Sequence, residues 1–284
     1  METSQEDRRR ISVARDGKGG MISGAFHRLA GDAPDLVVES SPKRVRAYLG
    51  GETVLDSRRV RLIHQRGSLP AYYFPREDVR DELLEPTDHT THCPVRGEAR
   101  YWTVRVGEKV AENTAWSYHD PPEDIPDITG LLSFRWSGMD RWFEEDEEVF
   151  VHPRDPYHRI DVLESSRHVE IRVGDLTVAE SRRPVMLMET GLPVRYYLPK
   201  VDVRTHLLQP SDTRTECPYK GRTSAYWSGG DLGEGLGEKD QELAWCYDFP
   251  LEGLSRIAGR IAFYHERVEL LVDGEPYPNA RGAP

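Results

Sequence analysis

Lysine is scarce in this chain. Only six of its 38 basic residues are lysine, an arginine bias that fits a GC-rich bacterial genome. Cysteine is scarcer still. Three among 284 residues cannot build a disulfide framework, and an odd number suits a reducing compartment. No apolar run approaches the ~18 residues of a membrane-spanning helix, and no signal-peptide pattern opens the chain. A cytoplasmic protein with no membrane partner is therefore expected. Positive charge is also in deficit, with Lys+Arg at 38 against Asp+Glu at 49 and a net charge of -11. Non-specific nucleic-acid binding needs a cationic surface, so no nucleic-acid partner is expected. Paired Cys-x-x-Cys knuckles, which hold structural zinc in many small β modules, are absent. No metal and no other cofactor is expected.

What is present is a packed core and a repeat. Hydrophobic residues make up 37% of the chain, and 24 glycines accompany them, which rules out wholesale disorder. Displacing the chain against itself by 124 residues aligns Val45 to Gly97 with Val169 to Gly221 without a gap, and 22 of the 53 positions are identical. Tyr72-Tyr73-Phe74-Pro75 meets Tyr196-Tyr197-Leu198-Pro199, and Cys93-Pro94-Val95-Arg96-Gly97 meets Cys217-Pro218-Tyr219-Lys220-Gly221. With small slips, Tyr101-Trp102 then meets Tyr226-Trp227, and Ala115-Trp116-Ser117-Tyr118 meets Ala244-Trp245-Cys246-Tyr247. The period is too long for a solenoid unit, and each copy is large enough to hold its own core.

Two homologous domains are expected, at 39–150 and 164–284, packed on each other. A mostly disordered tail is expected over 1–38 and a Pro-containing connector over 151–163. The acidic run Glu144 to Glu148 reads as a solvated face or a partner for the connector arginines.

Each copy reads as mainly β. Val169-Glu170-Ile171-Arg172-Val173 alternates at period two, and Gly174-Asp175 turns it into a second strand. Gly50-Gly51 does the same in copy one. A second hairpin runs from Val185 to Glu189 and back through Arg195 to Leu198. The spacing from Asp202 to Leu208 predicts one short helix per copy, which Pro210 stops. Many short antiparallel strands favour a small sandwich or open barrel over an α/β fold.

The set Thr215-Glu216-Cys217-Pro218-Tyr219-Lys220-Gly221 followed by Tyr226-Trp227, with Ser181-Arg182, Glu189, Tyr196-Tyr197, Ala244-Trp245 and Asp273-Gly274-Glu275, resembles the family called domain of unknown function 427. The resemblance covers both copies. It implies a β-tent-like fold, whose relatives include zinc-binding modules, a methionine sulfoxide reductase class and an aromatic-cage ligand domain. The family also carries a nucleotidyltransferase-like label. That chemistry usually needs a Gly-Ser turn and paired metal-binding carboxylates, and this chain has no such arrangement.

Three functions stay open. A small molecule could bind in an aromatic-lined pocket, with Tyr196, Tyr197, Tyr226, Trp227, Trp245 and Arg182 as the expected ligand-binding residues. An enzyme could use Cys217 as nucleophile, with Lys220 and Glu189 assisting. A scaffold would use both copies only for packing and protein contacts. Strand alternation puts Tyr196 and Tyr197 on opposite faces, so at most one of them lines a given pocket. The copies differ at Tyr219-Lys220 against Val95-Arg96, and at Glu189 against Gln65. Gln cannot act as a base, so copy two is the expected place for chemistry, and Cys217 the expected faster thiol. His89-Thr90-Thr91-His92-Cys93 has ligand-type side chains, but the two histidines become Thr213 and Glu216 in copy two. Cys246 reads as core.

Overall fold

The computed structural model describes residues 36–230, 232 and 242–277. Residues 1–35 of the expected tail lie outside the described residues. Within them, two compact units form, one of 36–147 with 155–157, the other of 148–154 with 158–277.

The first copy contributes strands β1 (Leu36–Ser40), β2 (Val45–Leu49), β3 (Glu52–Ser57), β4 (Arg61–Gln65), β5 (Ala71–Pro75), β6 (Leu84–Cys93), β7 (Gly97–Val106), β8 (Lys109–Tyr118), β9 (Leu131–Phe134), β10 (Arg141–Glu144) and β11 (Glu147–Val149). The second contributes β12 (Ile160–Glu164), β13 (Val169–Val173), β14 (Leu176–Ser181), β15 (Val185–Glu189), β16 (Arg195–Pro199), β17 (Gln209–Ser211), β18 (Glu216–Cys217), β19 (Gly221–Arg222), β20 (Ala225–Ser228), β21 (Glu242–Tyr247), β22 (Arg260–Phe263), β23 (Glu269–Val272) and β24 (Glu275–Pro276). The seven-stranded sheet of copy one has the order β1-β4-β5-β9-β8-β7-β6, and that of copy two the matching order β12-β15-β16-β22-β21-β20-β17. The four-stranded sheets match too, as β11-β10-β2-β3 and β24-β23-β13-β14. The repeat therefore extends to β1 and β12. Residues 36–38, expected in the tail, and 160–163, expected in the connector, belong to strands.

Apolar and polar residues alternate along β2 and β13, and one face of each strand is buried. In both copies a bulge interrupts the first hairpin. Ala47 faces Leu55 while Tyr48 faces Thr53, and Ile171 faces Ala179 while Arg172 faces Thr177. The extra residue, Val54 or Val178, turns inward, so two consecutive side chains enter the core from one strand. The helix expected over 202–208 is two 3-10 turns, Lys200–Asp202 and Thr205–Leu207. Between them Val203 is extended and bridges to Ala179, and the Arg204 N–H donates to the Val178 carbonyl at 2.8 Å. Pairing with the edge of β14 wins over local helical spacing. Glu144, expected on a solvated face or paired with the connector arginines, is buried: it accepts from the Tyr72 hydroxyl at 2.8 Å and pairs with Lys43 at 2.6 Å.

The long sheet of each copy packs on both faces. Its inner face meets the small sheet, with Tyr72, Phe74, Trp102 and Phe134 in copy one and Tyr196, Leu198, Cys246 and Phe263 in copy two. Its outer face carries a second cluster, with Ile63, Tyr73, Tyr118 and Ile128 in copy one and Leu187, Tyr197, Tyr226, Trp245, Tyr247 and Ile257 in copy two. Phe74 and Leu198 are fully buried equivalents. Phe74→Ala is expected to cost ~3–5 kcal/mol and Leu198→Ala ~2–5 kcal/mol in urea unfolding. Losses well below 1 kcal/mol at both sites would show that this inner layer does not hold the sheets together.

Candidate functional site

The Cys-Pro-x-cation-Gly turn builds the same corner in both copies. Cys93 pairs with Gly97 at the ends of β6 and β7, and Cys217 with Gly221 in β18 and β19. The glycines sit at φ 85° and 91°, in the left-handed region that side chains resist. The turn delivers a thiol and a cation to the outer face of the long sheet, beside the second tyrosine of the Tyr-Tyr pair. There Trp116 Nε1 donates to the Tyr73 hydroxyl at 3.3 Å, and Trp245 Nε1 to the Tyr197 hydroxyl at 3.2 Å. A second bond recurs as well: the Tyr101 hydroxyl meets Thr91 Oγ1 at 2.9 Å, and the Tyr226 hydroxyl meets Thr215 Oγ1 at 2.7 Å. Burial raises the pKa of Tyr73 and Tyr197, so both phenols stay protonated at neutral pH.

The two copies treat the cation differently. In copy two, Lys220 Nζ forms a hydrogen-bonded ion pair with Glu189 Oε2 and lies 3.8 Å from Cys217 Sγ. His158 Nε2 meets the other Glu189 oxygen at 3.0 Å. Burial opposes ionisation of Glu189, but the bond from His158 and the charge of Lys220 overcome it and hold the carboxyl below its ordinary range. The His158 ring stacks on Tyr219, with centroids 4.1 Å apart. Arg195 lies 5.6 Å from the Trp245 and Tyr264 ring centroids, and those two rings are 4.3 Å apart.

In copy one, Arg96 replaces the lysine. Its Nη1 donates to the Tyr73 hydroxyl at 2.5 Å, and its guanidinium lies 5.0 Å over the Tyr118 ring. Gln65 stands where Glu189 stands in copy two, with Cys93 Sγ 3.8 Å from its Oε1. Among the described residues no carboxylate forms an ion pair with Arg96, and its buried Nε has no hydrogen-bond partner. Burial pushes the Cys93 thiol up, but the hydrogen bond and charge of Arg96 and the backbone N–H groups of the turn outweigh it. The net shift of Cys93 is downward.

Of the residues singled out in the sequence, Glu189, Tyr197, Cys217, Lys220, Tyr226 and Trp245 come together on the outer face of copy two. Tyr196 and Trp227 pack against the inner core. Arg182 is exposed and lines a shallow surface depression with Glu180, Ser181, Arg183 and Asp202. Cys246 is buried in the inner core. His158 was not singled out; it lies 31 residues from Glu189 in the connector, and no local pattern marks it. Tyr118 and Tyr247 carried a signal, since both recur in the Ala-Trp-x-Tyr match. The ring of His89 lies 4.6 Å from that of Tyr101. Among the described residues no three His, Cys, Asp or Glu side chains are placed to hold a metal ion. No helix among them is long and apolar enough to cross a membrane.

Fold and site together define a tandem, mainly antiparallel β protein whose copies each bring a thiol and a cation under the outer face of a seven-stranded sheet. The chain belongs to the family described as domain of unknown function 427, DUF427, which matches it over residues 37–145 and 161–274. The two matched segments correspond to the two copies. A comparison with curated proteins finds no match.

Two outcomes follow from the charges. With iodoacetamide on the native protein, Cys93 is expected to react faster than Cys217, the reverse of the order expected from sequence. In copy one the cation favours the thiolate without a neighbouring carboxylate. Arg96→Gln should slow Cys93 and move its rate profile to higher pH, and equal rates for the two thiols in the unaltered chain would refute this account. The second outcome concerns Glu189. Its folded pKa is depressed, so its contribution to stability is complete above the unfolded carboxylate pKa and is lost as pH falls through the folded value. Glu189→Gln should cost ~3–5 kcal/mol at neutral pH by leaving Lys220 buried without its anion. It should also flatten the acid limb of stability against pH, and an unchanged limb would assign that limb to other groups.

Proposed function

We propose that the protein binds a small molecule and that the receiving surface is the outer face of the long sheet in copy one. One contrast carries this reading. Tyr101, Trp116 and Arg96 are half-buried, whereas their equivalents Tyr226, Trp245 and Lys220 are only 4%, 7% and 8% exposed; the two thiols are half-buried alike. Copy two fills its own corner, because Arg195 and Tyr264 crowd Trp245 where copy one has Ala71 and Arg135 at the equivalent positions. Copy one keeps two aromatic side chains, a thiol and a guanidinium within reach of a ligand, a mix of apolar walls and few polar groups that suits small-molecule recognition. Tyr101 and Trp116, 6.2 Å apart and inclined by 35°, offer a wall for a flat group.

Native mass spectrometry of the full chain, incubated with the small-molecule fraction of a cell extract, tests this. A bound mass is expected that Trp116→Ala reduces at least tenfold and Trp245→Ala does not. A chain that retains no mass, or retains it equally in Trp116→Ala, would overturn the reading. A thiol-based reaction at Cys217 is the second reading, favoured by the approach of Lys220 Nζ to its sulfur. Against it, the ion pair with Glu189 takes up the charge that would activate the thiol.

A further inference from the structure

We infer that the ligand of copy one carries a carboxylate, received by Arg96 and Tyr73, and that in copy two the side chain of Glu189 takes that carboxylate's place. This rests on the small-molecule reading above and names the chemical class that site selects. Arg96 has five N–H bonds and no acceptor role. One terminal nitrogen donates to Tyr73, the guanidinium also bonds the Cys93 sulfur, and Nε is buried with no acceptor among the described residues. The Tyr73 hydroxyl already accepts from both Arg96 and Trp116 Nε1. Both of its lone pairs are thereby used, and no bond donated by its own proton is found among the described residues. The corner holds donors in excess, and no carboxylate among the described residues offsets its positive charge.

Copy two shows what satisfies such a corner. There the strand residue that closes β15 is Glu189, and its carboxylate binds the cation of the turn directly. The equivalent residue closing β4 is Gln65, whose neutral amide supplies no charge and whose oxygen lies near Cys93 instead. The other groups facing Arg96 are the phenols of Tyr73 and Tyr118 and the thiol of Cys93. Burial keeps both phenols protonated against the charge of Arg96, so neither serves as a counter-ion. A planar carboxylate matches the guanidinium fork geometrically as well as electrically. The half-buried Tyr101 and Trp116 beside it favour an acid with a flat apolar body.

The test uses sodium benzoate and its neutral isostere benzamide on the full chain, at matched ionic strength. The readout is the alkylation rate of Cys93, with Cys217 as internal reference. Benzoate is expected to slow Cys93 at least fivefold and to leave Cys217 unchanged, while benzamide leaves both unchanged. Gln65→Glu, which installs the carboxylate of copy two, is expected to abolish the benzoate effect; continued protection there would overturn the inference. Equal protection by benzoate and benzamide would overturn it too, while leaving the small-molecule reading standing. Protection by neither probe would also overturn it, and the mass-spectrometric test would then decide separately whether any small molecule binds.

Discussion

A positive charge tucked under the long sheet, buried in copy two and half-buried in copy one, organises this protein. Each copy closes a hairpin with Cys-Pro-x-cation-Gly, and the left-handed glycine folds the turn so that the cation lies under the sheet. A cation so placed must find anions or acceptors, because an unpaired buried charge is among the most destabilising things a core can hold. The surrounding polar groups follow from that need. They are the phenol that accepts from Arg96 in copy one, the carboxylate that binds Lys220 in copy two, and the indole N–H that fixes each phenol in place. Copy two solves the problem internally, with Glu189 anchored from its other side by His158. Copy one solves it only in part, with ring and hydroxyl contacts and no carboxylate.

That difference separates two roles for one architecture. The inner faces of the long sheets are apolar in both copies and tie each long sheet to its four-stranded partner. They set the strand order, which is the same in both copies. The outer faces carry the polar corner, and there the copies diverge. Around Trp245 the space is taken by Tyr264 and Arg195, the latter held by two hydrogen bonds to Glu266 at 2.7 and 2.8 Å. Around Trp116, among the described residues, it is not. Duplication gave the chain one corner that is complete within itself and one that is electrically unfinished.

The sequence determined the repeat, the strand hairpins and the residues of the turn, because these depend on local chemistry: period-two alternation, turn glycines, and a gapless offset that leaves no freedom in register. It also separated Tyr196 from Tyr197 by face, since adjacent residues of a strand must point to opposite sides. What only the tertiary structure decided involves residues far apart in the chain. The spacing of Asp202 to Leu208 suits a helix, yet Val203 pairs with β14 and the segment becomes two short turns. Glu144 sits in an acidic run that suits solvent, yet Tyr72 and Lys43 draw it inside. His158 reaches Glu189 across 31 residues. The relative openness of the two corners depends on which side chains the fold packs against Trp116 and Trp245. Burial and charge balance are sums over neighbours that tertiary packing selects, and sequence spacing does not contain that sum.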